Sequence, residues 1–204
     1  MQNYFYMKKT LAIAGILALT ITPTVSFADH LEPKQSEIKV GGDLLHTNLK
    51  ESNLVRANLA EANLSNANLF KANLTSADLS SANLNGANLN GSNLTGANLT
   101  GADLTDAELN SSNLTGANLT GADLAGADLN YSVMNDTNLR NFNLSKFSLA
   151  GVELINTNLT GANLSGSNLT GANLTGADLT DANLTDANLG MADLINTNLT
   201  GAYL

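Results

Sequence analysis

The stretch Ala97-Asn98-Leu99-Thr100-Gly101 contains, in five residues, the pattern that decides the fold of this chain. Its central leucine recurs at every fifth residue from Leu44 to Leu204, a series of 33 positions in which only Met134 is not leucine. The residue two places before the centre is Ala, Ser, Thr or Gly in 30 of the 33 pentads, and the residue just before it is Asn or Asp in 28. No insertion breaks the phase, so the repeat itself organises the structure.

A period of five fits neither regular secondary structure. On an α-helix, five residues turn through about 500°, so the leucines would spiral over every face. On a continuous strand, an odd period would place alternate leucines on opposite faces. The pattern therefore predicts a backbone that turns a corner once per pentad, where Asn, Asp and Gly tolerate left-handed conformations. The small residue and the leucine then point inward on every side.

The motif Ala-(Asn/Asp)-Leu-x-x, seen in Ala57-Asn58-Leu59-Ala60-Glu61 and its successors, resembles the pentapeptide-repeat family. The resemblance implies an all-β fold, a right-handed quadrilateral β-helix in which four pentads make one coil. It implies about eight coils over residues 42–204 and a rod of roughly 40 Å at the usual strand spacing.

The sequence also supports a coil of four pentads directly. The stretch that begins Ser92-Asn93-Leu94 recurs four pentads later at Ser112, whereas a similar stretch at Ser167 lies out of that phase. We expect the coils to be stabilised by stacking against their neighbours. We also expect the outward Asn and Thr side chains to form ladders with their equivalents on adjacent coils.

The N-terminal segment is typical of a secretory leader. Lys8 and Lys9 precede an apolar stretch over 11–21, and Ser26-Phe27-Ala28 forms a small-x-small cleavage site. The apolar stretch is about half the length needed to span a bilayer, so no stable membrane insertion is expected after cleavage. The sequence predicts a signal peptide over 1–28 with cleavage after Ala28, a polar cap or tether over 29–41, and the β-helix over 42–204. Met7 is an alternative start to Met1.

Composition restricts the possible functions. The chain has 18 acidic and 9 basic residues, a net charge of −9, and it contains no cysteine. Removal of the leader makes the balance more acidic, which argues against nucleic acid as a partner because phosphates need Lys and Arg. The two histidines, His30 and His46, belong to no nucleophile–base or metal-ligand pattern. We therefore predict that the protein is not an enzyme and holds no cofactor.

One segment departs from the repeat. Phe142, Phe147 and Val152 occupy three consecutive small positions, and Arg140 and Lys146 are the only basic residues after Lys71. In a coil of four pentads, Phe142 would stack on Ala122 and Ala162, where a ring overpacks the interior. We expect either a widened coil or rings turned outward. The segment is interpreted as an irregular coil or a join between two arrays, or alternatively as an apolar and basic contact site.

Stacked carboxylates form a second candidate site. Asp103 and Asp123 are four pentads apart, as are Glu108 and Asp128, and Asp106 lies beside them. Adjacent coils would place each pair about 5 Å apart, where a cation such as Ca²⁺ would relieve the repulsion. The alternative is a solvated acidic face, in which the repulsion is mild.

Two functions follow as hypotheses. The first is a non-catalytic exported scaffold or interaction module, periplasmic or secreted, or lumenal in thylakoids if the source is cyanobacterial. The second is DNA mimicry, because some proteins of the family that this chain resembles bind DNA gyrase. In this case the partner would be DNA gyrase or another DNA-binding protein. Export would remove the chain from cytosolic gyrase.

The repeat runs to Leu204 without a following cap, so we also expect end-to-end homodimerisation through the last coil.

Overall fold

The computed structural model describes residues 41–204, which form a right-handed β-helix with four faces. Within this range there is no helix, and each pentad contributes a single bridging residue rather than a longer strand. Every bridge is parallel and joins a residue to its equivalent four pentads along the chain, from Asp43–Asn63 to Asn183–Tyr203. The all-β quadrilateral solenoid implied by the resemblance to the pentapeptide-repeat family is therefore confirmed.

We count coils from Ser52, the small residue that begins a face. The complete coils are 52–71, 72–91, 92–111, 112–131, 132–151, 152–171 and 172–191, with partial coils at 41–51 and 192–204. Each face is named after its bridging residue in coil 112–131. In chain order these are the Asn113 face, the Asn118 face, the Asp123 face and the Asp128 face, so the Asn113 and Asp123 faces lie opposite each other.

The core is a column of leucines surrounded by small residues. Leucines from Leu64 to Leu119 are completely buried, and the alanines two residues before them are nearly so. Burial of a leucine side chain contributes about 1.5–3 kcal/mol, and the contribution repeats with every pentad. The core thins in the last coil, where the central residues Leu194 and Leu204 are exposed.

Each corner is left-handed. Every fifth residue from Gly41 to Gly201 has a positive φ, and from His46 onward each of these lies two places after a central position. Fourteen of these corner residues are glycine, and 19 carry a side chain. At a typical corner, Asn98 Oδ1 accepts hydrogen bonds from the N–H (3.2 Å) and the hydroxyl (2.6 Å) of Thr100. The Asn before each leucine therefore stabilises the turn that follows it.

Backbone hydrogen bonds join the coils. Between coils 92–111 and 112–131 there are twelve, three on each face. On the Asp123 face, the N–H of Leu104 donates to Asp123 O (2.7 Å), the N–H of Asp106 to Ala125 O (2.8 Å) and the N–H of Asp123 to Ala102 O (2.9 Å). The same three-bond unit recurs at every junction between complete coils except that between coils 112–131 and 132–151, so the polar groups of the backbone are paired along most of the rod.

The expected side-chain ladders are largely replaced by turns. Most Asn and Asp side chains bond to the backbone two residues later in the chain, as Asn98 does to Thr100. Contacts between equivalent side chains on adjacent coils are fewer, for example Asn63 Nδ2 to Asp43 Oδ1 (3.0 Å) and Asn98 Nδ2 to Asp78 Oδ1 (3.0 Å). The corner places the N–H of the residue after each leucine within reach of the preceding Asn or Asp side chain. The side-chain oxygen therefore bonds within its own turn rather than to the equivalent residue on the next coil.

A few hydroxyl groups are enclosed in the core. Ser132 Oγ donates to Leu129 O (2.8 Å), but the hydroxyls of Ser92, Ser112 and Ser167 have no hydrogen-bond partner among residues 41–204. Ser92, Ser112 and Ser132 lie in one column at successive coils, so chemically identical groups there differ in whether they are bonded.

The predicted leader over 1–28, its cleavage after Ala28 and most of the polar segment over 29–41 lie outside the described residues. Within 41–204, no helix is long and apolar enough to cross a membrane.

Candidate functional site

The stacking is interrupted between coils 112–131 and 132–151. Three bridges that the four-pentad period requires do not form, namely 118–138, 123–143 and 128–148. The bridge from Asn113 to Val133 is present. Within residues 41–204, this is the one junction between complete coils that lacks bridges.

The backbone hydrogen bonds show the same opening. Of the twelve expected across this junction, eight are missing. Five N–H groups of coil 112–131 lack their partner on the next coil: those of Leu119, Gly121, Leu124, Gly126 and Leu129. Three N–H groups of coil 132–151 lack their partner on the previous coil: those of Asn138, Asn143 and Ser148. All three bonds are lost on the Asn118 and Asp123 faces.

The remaining four bonds form a seam along one side. The N–H of Leu114 donates to Val133 O (2.7 Å), and Gly116 and Val133 supply two more bonds on the Asn113 face. At the adjoining corner, the N–H of Tyr131 donates to Ala150 O (2.9 Å). The coils are thus hinged on the Asn113 face and open on the Asp123 face.

A side chain reinforces the closed corner. The amide oxygen of Asn130 accepts hydrogen bonds from Ser148 Oγ (2.7 Å) and Ala150 N (3.0 Å) on the next coil. These bonds lie beside the Tyr131 corner, so they extend the seam without reaching the Asp123 face.

Two aromatic rings occupy the opening. Phe142 and Phe147 are half-buried and pack against the leucine core, and Ala122 is more exposed than its equivalents Ala102 and Ala162. Of the two expectations, the structure therefore has the coils spread apart rather than the rings turned wholly outward. Val152, the third large residue at a small position, is completely buried on the intact side.

The opening is a cleft of about 370 Å³. One wall is the segment 122–126, and the other consists of Phe142, Asn143, Ser145 and Phe147. Apolar ring and leucine surface thus lies next to unpaired backbone groups, so the cleft offers both hydrogen bonding and apolar burial.

The basic residues of this segment lie at the rim. Arg140 and Lys146 are both exposed and stand at the two corners that border the Asp123 face of coil 132–151. Lys146 is one of the left-handed corner residues, with φ 62°. The structure thus places Phe142 and Phe147 in the cleft and Arg140 and Lys146 at its rim, but the missing backbone bonds carry no sequence signal of their own.

The candidate carboxylates are stacked as predicted but form no metal-binding group. Asp103 bridges Asp123, and Glu108 bridges Asp128. Within residues 41–204, no cluster of three or more acidic, His or Cys side chains is placed to hold a metal ion. Asp103 Oδ1 instead accepts from Thr105 Oγ1 (2.5 Å), and Asp128 Oδ1 from Asn130 Nδ2 (2.6 Å). The Asp106 side chain lies at the corner beside Gly126.

Two carboxylates elsewhere have a lowered pKa. The hydroxyl of Ser80 donates to Asp78 Oδ1 (2.7 Å), and this bond, with the Ser80 N–H and the Asn98 amide, holds the pKa of Asp78 below its usual value despite partial burial. The hydroxyl of Thr180 is the largest cause of the lowered pKa of Asp178. Both are carboxylate anions stabilised by hydrogen bonds within their own turns.

His46 is the one histidine within 41–204, and it occupies a left-handed corner of the first partial coil with φ 55°. No described cysteine or second histidine can accompany it. His30 lies outside the described residues.

Comparison with known proteins gives a consistent result. The family model described as pentapeptide repeats matches eight copies, over residues 43–75, 72–110, 107–145, 148–186 and 162–201. The only gap between these matches, at 146–147, contains Lys146 and Phe147. No curated protein matches the chain.

Two solved structures illustrate the similarity. The chain is 29% identical to HetL, a pentapeptide repeat protein involved in heterocyst differentiation regulation from the cyanobacterium Nostoc sp. strain PCC 7120, with a TM-score of 0.62 over 78% of this chain and 84% of HetL. It is 21% identical to a trypsin-treated variant of QnrB1, a plasmid-mediated fluoroquinolone resistance protein, with a TM-score of 0.56 over 81% and 88% of the two chains. The second likeness concerns the fold alone. The extent of the repeat match shows that the chain belongs to the pentapeptide-repeat family.

Proposed function

We propose that the protein is an exported, non-catalytic scaffold that binds a protein partner, and that the cleft between coils 112–131 and 132–151 is the contact site. The observation that carries this proposal is the loss of eight backbone hydrogen bonds at one junction of an otherwise regular rod. Unpaired backbone groups are costly, so a surface that offers them is suited to a partner that satisfies them.

The rest of the rod supports the same function indirectly. Its faces carry Asn, Asp and Thr side chains that are already bonded within their own turns, as in Asn113 with Thr115 (2.7 Å). Such a wall keeps its backbone N–H groups bonded and presents little apolar surface to a partner. The Asp123 face at the cleft differs in both respects, because Phe142 and Phe147 add apolar surface there.

A site-specific cross-linking experiment tests the contact. A photoreactive amino acid replaces Ser145 at the cleft or, as the matched control, Ser65 on the same face. Both serines have the same local bonds, to Asn143 Oδ1 and Asn63 Oδ1 respectively. We expect a discrete adduct in the source cells from position 145 and none from position 65. Equal labelling, or none, would rule out the cleft as the contact site.

Export rests on the leader, and cell fractionation with N-terminal sequencing tests it. We expect a mature chain that begins at Asp29 outside the cytoplasm. A cytosolic chain that retains residues 1–28 would overturn export and favour the alternative, DNA mimicry, for which inhibition of DNA gyrase is the direct assay. The end-to-end homodimer through the last coil remains a separate prediction, and a monomer mass at every concentration would contradict it.

A further inference from the structure

The geometry points to the chemical class of the partner: we propose that the cleft binds an extended peptide strand, which lies parallel to the coil along the Asp123 face. The inference rests on the proposed function and deepens it by naming the form in which the partner is held. It commits to β-strand addition, in which main-chain hydrogen bonds hold the ligand and side-chain pockets select it.

The first step is the arrangement of the rim groups. On coil 112–131, the N–H groups of Leu124 and Gly126 and the carbonyl of Ala122 have no backbone partner on the next coil. The equivalent groups one coil earlier, on Leu104, Asp106 and Ala102, bond to coil 112–131 at 2.7–2.9 Å. The open rim therefore presents the same two donors and one acceptor that bind a parallel strand elsewhere in this molecule.

The second step is that these rim groups are not bonded by side chains from across the cleft. Asp123 Oδ1 accepts from Ala125 N (2.9 Å) in its own turn, and Asn143 Oδ1 accepts from Ser145 N (3.2 Å) in the opposite one. The N–H groups of Leu124 and Gly126 make no hydrogen bond within the described structure. An α-helix would leave them unpaired, because a helix satisfies its own backbone groups. A strand supplies the missing partners.

The third step concerns side chains. Successive residues of a strand point to opposite sides, so one residue of the ligand faces the cleft while its neighbours face solvent. The inward residue meets Phe142, Phe147 and Leu124 in a cleft of about 370 Å³, which favours an apolar side chain. The outward neighbours lie near the exposed Arg140 and Lys146, which favour acidic residues.

The length of the contact follows from the corners. The coil turns at Gly121 and Gly126, both with positive φ, so a straight strand can follow the Asp123 face for only about one pentad. The ligand is therefore a short linear segment, apolar at its centre and acidic beside it, rather than a long strand of a folded sheet.

Selection from a displayed library of random linear octapeptides tests the proposal, with the protein expressed from its full sequence. The matched variant is Phe142→Ala with Phe147→Ala. It restores a small residue at both positions, as found at Ala122 and Ala162 for the first and at Ala127 and Ser167 for the second. We expect enriched peptides with an apolar centre and acidic flanks, and at least tenfold weaker binding to the double variant. Peptides that bind the double variant equally well would overturn the proposal.

Amide hydrogen exchange on the unaltered protein provides a second readout that does not depend on the variant folding. Saturation with an enriched peptide should slow exchange at Leu124 and Gly126 at least tenfold, and leave Leu104 and Asp106 unchanged. Unchanged exchange at Leu124 and Gly126 would exclude strand addition. Both measurements use purified protein, so they remain valid if the protein is not exported. A cross-linked adduct at position 145 without slower amide exchange at Leu124 and Gly126 would overturn strand addition and indicate a partner that docks on the outer surface.

Discussion

The N–H of Asn143 does not donate to the carbonyl of Ala122, although both groups lie where neighbouring coils are bonded. One coil later the N–H of Asn163 donates to Phe142 O (2.8 Å), and one coil earlier the N–H of Asp123 donates to Ala102 O (2.9 Å). The difference lies at the small positions of coil 132–151, because the rings of Phe142 and Phe147 hold the coils apart where alanine lets them close.

Removing both rings should stabilise the rod. The double variant Phe142→Ala and Phe147→Ala allows eight backbone bonds to form, each contributing about 0.5–1.5 kcal/mol, and it loses the partial burial of two rings. We expect a net gain of about 2–4 kcal/mol, measured as a higher urea midpoint. The control, Val152→Ala, creates a cavity where the side chain is completely buried, and it should cost about 1–2 kcal/mol. A double variant less stable than the unaltered protein would mean that the rings are well-packed core.

The buried hydroxyl of Ser92 should destabilise the fold. Its oxygen has no partner, so Ser92→Ala removes an unsatisfied polar group and should add about 1–2 kcal/mol. Ser132→Ala, two coils later in the same column, breaks the bond to Leu129 O and should cost about 1 kcal/mol. Chemical denaturation of the two variants gives both values, and shifts of the same sign would refute the distinction.

Corner substitutions should reveal the cost of left-handed residues that carry a side chain. Gly101 and Ser81 occupy the same corner on adjacent coils, with φ 66° and 55°. A Cβ at Gly101 would meet only Ser81 Oγ at an ordinary 3.6 Å. Gly101→Ala should therefore destabilise by about 1 kcal/mol through the backbone alone, whereas Ser81→Gly should stabilise by about 0.5–1 kcal/mol. Thermal melting checks the pair, and Ser81→Ala, which keeps the strain, should have little effect.

The stability of the rod should fall in acid, partly through Asp78. Because its pKa is lowered in the folded state, the carboxylate contributes stability above its unfolded pKa, and this contribution is lost as pH falls through the folded pKa. The variant Asp78→Asn keeps an acceptor oxygen for Ser80 but cannot titrate. We expect the decline in urea midpoint between about pH 5 and pH 2 to be smaller in the variant. Equal declines would show that this turn does not couple folding to pH.

The period of five determines most of the fold because each pentad contains both the residues that point inward and the residues that form the turn. Leucine and a small residue define the inside, and Asn followed three residues later by a corner residue defines the turn, as at Asn98 and Gly101. The coil of four pentads is implied by the resemblance to the pentapeptide-repeat family, and the offset from Ser92 to Ser112 supports it. These are local properties, so the sequence displays them directly.

The cleft could be located but not described from the sequence. Phe142 and Phe147 mark two overpacked positions in the sequence. Whether the rings rotate outward or the coils separate depends on two free energies, that of burying the rings and that of the eight backbone hydrogen bonds between the coils. Those bonds involve backbone groups of Leu124, Gly126 and others whose side chains are ordinary for the repeat. The preference of Asn and Asp for their own turns over ladders was missed for a related reason, because two acceptable partners compete at each position.

The hinged junction also has a mechanical consequence. Twelve backbone bonds join coils 92–111 and 112–131, but four, all on the Asn113 face and its adjoining corner, join coils 112–131 and 132–151. A pull along the long axis would therefore be resisted unequally, and the molecule should yield first at this joint by peeling from the Asp123 face. The two stacks on either side would remain intact, so the chain under load would behave as two stiff segments linked by one flexural point.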